Sequence, residues 1–121
     1  KNYELLASHL IGWINGEDWK SLAKISAKTY DMIFTGSVIE DFKNFKLPVS
    51  IILGTRDRTG PGRNWKKAGV NYDLGRYDLL GKKVKKMNSN INLIELEGLG
   101  HLPQIEDFEL FYSELEKVLL N

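Results

Sequence analysis

The chain has 121 residues, enough for one domain or part of one, and a core of modest size. Apolar residues make up 42% and charged residues 27%, a globular balance that excludes a disordered chain. Seventeen Lys and Arg against sixteen Asp and Glu leave a net charge of +1, so nothing electrostatic points to nucleic acid or an anionic membrane, and with no cysteine there are no disulfides and no thiolate metal sites.

Residues 3–14, YELLASHLIGWI, carry Leu6, Leu10, Trp13 and Ile14 at helical spacing and stop at Asn15-Gly16. Residues 17–34 form a second helical pattern, with Trp19, Leu22, Ala23, Ser26, Ala27 and Tyr30 on one side and Glu17 and Asp18 in the first turn, where acidic groups suit the helix dipole. After a loop, PVSIILG at 48–54 is a continuous aliphatic and β-branched run, the form of a parallel strand covered on both faces. Pro48 opens it, where a missing N–H costs least.

Residues 55–72 are polar and glycine-bearing and read as a long loop. Residues 73–88 become helical, with Tyr77, Leu80, Val84 and Met87 on one face and lysines on the other. INLIEL at 91–96 is a second strand, EGLGHL a loop, and Pro103 the first position of a last helix with Phe108, Phe111, Tyr112, Leu115 and Leu119 as its apolar stripe.

Strand, helix, strand is a right-handed parallel crossover, so the class is α/β with parallel strands flanked by helices. Two parallel strands make a marginal sheet, and their faces and edges need cover. Residue 1 is Lys and no signal-like apolar run follows it, so the expectation is that further chain completes the sheet.

The crossover brings both strand ends to one rim, where sites form in parallel α/β sheets. Asp57 lies just past the first strand and His101 just past the second, so residues 44 apart in sequence are candidate hydrogen-bonding neighbours. A carboxylate on an imidazole fixes its tautomer, orients the ring and stabilises the imidazolium. Gly98 and Gly100 permit a sharp turn around the histidine. The competing readings are a loop histidine satisfied by backbone and an aspartate that caps a turn. His9 reads as structural or exposed, Trp13 and Trp19 as packing residues or the lining of an acyl pocket, and Lys82, Lys83, Lys85 and Lys86 as a solvated helix face. Arg56, Arg58 and Arg63 lack a phosphate-loop pattern, and Arg58 reads as the partner of an acidic neighbour.

Residues 48–120 resemble the C-terminal portion of the α/β-hydrolase superfamily. PVSIILGTRDRTG is similar to its acid-bearing strand, and INLIELEGLGHLPQIEDFELFYSELEKVL to its last strand, histidine loop and last helix. AKTYDMIFTGSVIEDF resembles the return from the cap in a bacterial branch, so the match runs from roughly residue 23, with residues 1–22 as cap helices. The resemblance implies a partial α/β-hydrolase fold, with residues 1–35 as the end of a helical cap and 36–121 as the C-terminal part of the core. It implies His101 as general base and Asp57 as its orienting acid. The family's G-x-S-x-G nucleophile elbow is absent from these 121 residues.

The expectation is therefore a serine hydrolase of ester- or amide-type bonds whose nucleophile lies on a preceding part of the same protein. Its partners would be a small-molecule substrate and that N-terminal part, with no metal or organic cofactor, no nucleic acid and no membrane. An aspartate nucleophile in place of serine, and a non-catalytic module binding a ligand or partner on a hydrolase scaffold, are the alternatives. The bacterial branch often carries export signals, which suggests a periplasmic or secreted protein.

Overall fold

The computed structural model describes residues 3–120, without the side chains of Tyr3, Leu5 and Leu6, so the inward place expected for Leu6 lies outside the described residues. The chain divides into two compact units, residues up to 37 and residues from 38 on.

The first unit is a pair of helices, α1 (Tyr3–Asn15) and α2 (Trp19–Thr35). The turn between them closes through Trp19 N–H donating to Gly16 O at 3.3 Å. Trp13 and Ile14 meet Trp19, Leu22, Ala23 and Ser26 around a shallow, largely apolar hollow of about 230 Å³, so the two helical stripes meet at their turn end, while Leu10 and Tyr30 farther along are exposed. Glu17 and Asp18 differ from expectation. They precede the helix, with Asp18 at the N-cap and its side chain making no cap hydrogen bond. The Gly16 turn reaches to Trp19, and the first helical bond, Leu22 N to Asp18 O, starts there.

The second unit is built on β1 (Val49–Gly54) and β2 (Ile91–Leu96), paired parallel and in register from Val49 opposite Ile91 to Gly54 opposite Leu96. Asn88 and Asn90 anchor the entrance to the pair. Asn88 Nδ2 donates to Phe42 O and Phe45 O at 3.0 and 2.9 Å, and Asn90 Nδ2 to Phe45 O at 2.9 Å. Helix α3 (Tyr77–Lys85) crosses between the strands and packs on both, with Lys82 reaching Glu95 at 3.5 Å. Among the described residues, Val84, Ile91 and Leu96 are the buried hydrophobic ones. The fold is α/β: helices flanking a small parallel two-stranded sheet.

Four expectations about these elements change. The loop after α2 contains a 3₁₀ segment at Ile39–Asn44, and the long loop after β1 contains another at Arg63–Trp65. Helix α3 is shorter than the periodic stretch 73–88. Gly75 takes φ +71°, and a Cβ there would lie 2.5 Å from both Arg58 O and Thr59 O, so residues 73–76 are irregular chain pressed against the segment after β1. The last helix is two, α4 (Pro103–Glu106) and α5 (Phe108–Leu120). Asp107 takes extended backbone between them, and its Oδ1 accepts the Leu110 N–H at 3.1 Å as an N-cap. Finally, the strands are not covered on both faces: Ile51, Ile52 and Leu53 are only half-buried. Among the described residues the sheet has two strands, each with one edge unpaired.

The close approach of β1 to the loop after β2 sets a steric limit at Gly54. A Cβ on Gly54 would lie 2.3 Å from the carbonyl oxygens of both Leu99 and Gly100, backbone atoms with no rotamer to adjust. Gly54→Ala is expected to destabilise the protein by about 1–3 kcal/mol, the usual cost of overpacking, read as a shift of the urea midpoint without a change of slope.

Candidate active site

Both strands leave the sheet at one rim, and the backbone ties their exits together. Thr55 N–H donates to Leu96 O at 3.0 Å and Arg56 N–H to Leu99 O at 2.9 Å. Gly98 N–H donates to Thr55 Oγ1 at 2.9 Å, and Gly98 adopts φ +74°, the turn that its position before the histidine called for.

Asp57 sits in the turn closed by its own N–H donating to Gly54 O at 3.1 Å. It is 6% exposed, the buried charged side chain among the described residues. A buried carboxylate is costly unless its oxygens are hydrogen-bonded, and here both are. Oδ1 accepts the Thr59 N–H at 2.7 Å, and Oδ2 lies 2.9 Å from His101 Nδ1. The structure thus brings together Asp57 and His101, as the strand-end reading expects. Asp57 also closes a turn, so the competing turn-aspartate reading describes one of its two oxygens.

Burial pushes the Asp57 carboxyl upward, yet the hydrogen bonds from His101 and Thr59 together outweigh it and hold its pKa below the ordinary 3.8. The group is therefore a carboxylate at neutral pH and can only accept. Nδ1 of His101 must then carry the hydrogen, so the neutral form of the ring has its lone pair on Nε2. The His101 side chain is 55% exposed, against 7% for that of Asp57. The pair is thus a sheltered acid holding an accessible imidazole. Tyr77 stands near enough to feel the acid: burial first, then the Asp57 charge, raises its phenol above 10.0, so it stays neutral.

The arginines divide by role. Arg58 bends back over the acid's turn, donating from Nη1 to Thr55 O at 2.9 Å and Asp57 O at 2.7 Å, and it stands 3.5 Å from Asp78 Oδ1. This is the acidic partner expected for Arg58. Arg63 Nη1 donates to Arg58 O. Arg56 and Glu106, to which the sequence reading gave no role, pair at 2.5 Å beside the histidine loop. Asp57, His101, Arg56, Arg58, Arg63 and Glu106 together line an open hollow of about 470 Å³. Of the other residues singled out, His9 is exposed on α1 with its ring edge-on to Trp13 at 5.9 Å, and Lys82, Lys83, Lys85 and Lys86 are exposed on and just after α3. His9 and the Trp13–Trp19 hollow belong to the first unit.

No protein-family model and no curated protein matches the chain. Among solved structures it is similar to a probable hydrolytic enzyme from Pseudomonas aeruginosa PAO1, with 35% identity and a TM-score of 0.79 over 84% of this chain. The chain spans 33% of the length of that protein, about a third. The likeness supports a hydrolase-like fold.

Asp78 anchors the support behind the acid's turn. The hydrogen bond from Arg76 is the main cause that lowers its carboxyl from 3.8 to about 2, with Arg58 assisting. A carboxyl depressed in the folded state stabilises the fold above its unfolded pKa, and that contribution is lost as pH falls through the folded value. Asp78→Asn should therefore lower the melting temperature at pH above about 4, and the difference from the parent should vanish as pH falls through about 2. Thermal melts of both proteins across that range check it.

Proposed function

We propose that this chain is the C-terminal part of an α/β-hydrolase, contributing the acid and the histidine of a catalytic triad whose nucleophile, a serine, lies outside these 121 residues. The observation that carries the reading is the 2.9 Å contact between buried Asp57 Oδ2 and His101 Nδ1 on an imidazole that is otherwise largely exposed. The similarity to a probable hydrolytic enzyme supports it, as does the match to only a third of that enzyme's length. The unpaired strand edges and the half-buried Ile51, Ile52 and Leu53 support a sheet that more chain completes. On this reading residues 1–35 are the end of a helical cap and 36–121 the C-terminal part of the core.

The chemistry follows from the tautomer. As the serine oxygen attacks an ester or amide carbonyl, His101 Nε2 takes its proton, and Nδ1–H keeps its hydrogen bond to Asp57. The positive charge that forms on the imidazole sits against the Asp57 carboxylate, which stays ionised. His101 then gives the proton to the leaving group, and water repeats the sequence to release the acid. The partners implied are a small-molecule substrate and the remainder of the hydrolase, and the chemistry calls for no metal or organic cofactor.

The test is ester hydrolysis by the full protein. His101→Ala should lower kcat for a p-nitrophenyl ester by a factor on the order of 10⁶. Asp57→Asn, which fills the same space but favours the wrong tautomer, should lower it by about 10⁴. Activity that survives both changes would overturn the proposal, and a full protein that hydrolyses no ester at all would favour a binding module on the same scaffold.

The 121-residue chain alone should show no turnover, because neither G-x-S-x-G nor the oxyanion donor that follows the serine is present in it. Ester hydrolysis by the chain alone, abolished by His101→Ala, would show that the nucleophile is among these residues after all.

A further inference from the structure

His101 is carried by a loop, and a loop does not by itself hold a side chain to hydrogen-bonding precision. The contact to Asp57 needs the loop after β2 to stay registered against the turn after β1. Two backbone bonds and Thr55 Oγ1 tie the near end of that loop, at residues 96–99. The far end, at Gly100 and beyond, depends on side chains. Glu106, in α4, accepts the Gly100 N–H on Oε1 at 3.0 Å, one residue before the histidine. Its other oxygen, Oε2, accepts Nη2 of Arg56 at 2.5 Å, one residue before the acid. Arg56 in turn donates from Nε to Gly98 O at 2.9 Å. A guanidinium and a carboxylate thus close a ring through both loops, with Asp57 and His101 as the next residues along each.

We propose that Arg56 and Glu106 are positioning residues for His101, their ion pair setting the contact between His101 Nδ1 and Asp57 Oδ2. This rests on the catalytic reading of Asp57 and His101 given above. An ion pair with side chains 64% and 29% exposed contributes little to global stability. Its effect is geometric: the pair chooses where the histidine stands, and an error of about 1 Å there costs on the order of 10²-fold in rate. Lysine cannot replace Arg56 in full, since a single ammonium cannot reproduce the planar fork that meets Gly98 O and Glu106 together. Both residues act through the Asp57–His101 contact, so their effect should disappear when that contact is already lost.

The experiment measures kcat and KM of the full protein on a p-nitrophenyl ester, with thermal melts and the low-field proton NMR signal of His101 Nδ1–H. The variants are Glu106→Gln, Arg56→Met, their double, and each single change in an Asp57→Asn background. Each single change should lower kcat by about 10–10²-fold with KM moving less than about threefold. The double should be no worse than the poorer single, and neither change should lower kcat further once Asp57 is Asn. Arg56→Lys should recover part of the loss, and it serves in place of Arg56→Met if the latter fails to fold. The Nδ1–H signal should broaden or shift in the variants while their melting temperatures stay near the parent's.

An unchanged kcat with an unmoved Nδ1–H signal would overturn the proposal. So would losses that multiply with Asp57→Asn, or that follow melting temperature alone. If His101→Ala leaves turnover intact, the catalytic reading fails, and the positioning role in that reaction fails with it. The Nδ1–H signal in Glu106→Gln would then still report whether the pair sets the Asp57–His101 contact.

Discussion

The in-register parallel pairing of β1 and β2 is the constraint on which the rest of the second unit depends. Parallel neighbours lie about 4.8 Å apart, so two chains leaving the same end of the sheet emerge within side-chain reach of each other. Gly54 opposite Leu96 is the last pair of the register. Asp57 comes three residues beyond one and His101 five beyond the other. A slip of register would carry the acid along the strand axis, off the rim and away from the imidazole. The asparagines at the entrance and the backbone bonds at the exit hold that register from both ends.

At the rim, burial is distributed unequally between the two members of the pair. Asp57 is withdrawn from water, with each carboxylate oxygen matched to a donor, whereas the imidazole remains open. Donors that bond the ionised acid favour it over the neutral form, and this outweighs the desolvation that opposes it. The acid is thereby kept charged, and as an acceptor only it selects the histidine tautomer with the hydrogen on Nδ1. Behind it, Arg58 and Asp78 brace the turn from the side of α3, while Arg56 and Glu106 brace the histidine loop from the side of α4. The helices that flank the sheet therefore act on the pair from two directions, one through each of its members.

The open edges of the sheet and the open imidazole belong together. A parallel pair with half-buried aliphatic residues is a partial core, and in the proposed function the exposed imidazole is one part of a triad completed elsewhere. The similarity covers one third of a probable hydrolytic enzyme, and the proposed function takes both the fold and the chemistry of this chain to be completed by further protein.

Much of this was legible in one dimension, because it rests on local patterns. Aliphatic runs at 48–54 and 91–96 mark the strands, helical spacing marks the elements around them, and strand–helix–strand implies the parallel crossover. From that order alone Asp57 and His101 fall at strand ends on one rim. The helix ends were less legible. Gly75 and Asp107 fall inside the stretches read as helix but before the first residue of each apolar stripe, and a close approach to a neighbouring segment and a side-chain cap move the helix starts past them. Arg56 and Glu106 were not legible as a pair. They stand 50 residues apart with no periodic relation, and each alone is an ordinary charged residue in a loop or a first turn. The amino-acid sequence by itself determined the strands, their order and the rim on which the acid and the histidine sit, since these follow from period and connectivity. Only the tertiary structure decided the 2.9 Å contact, the burial of one partner and not the other, and the side chains that hold the two loops together, since these depend on distances between segments that no local pattern encodes.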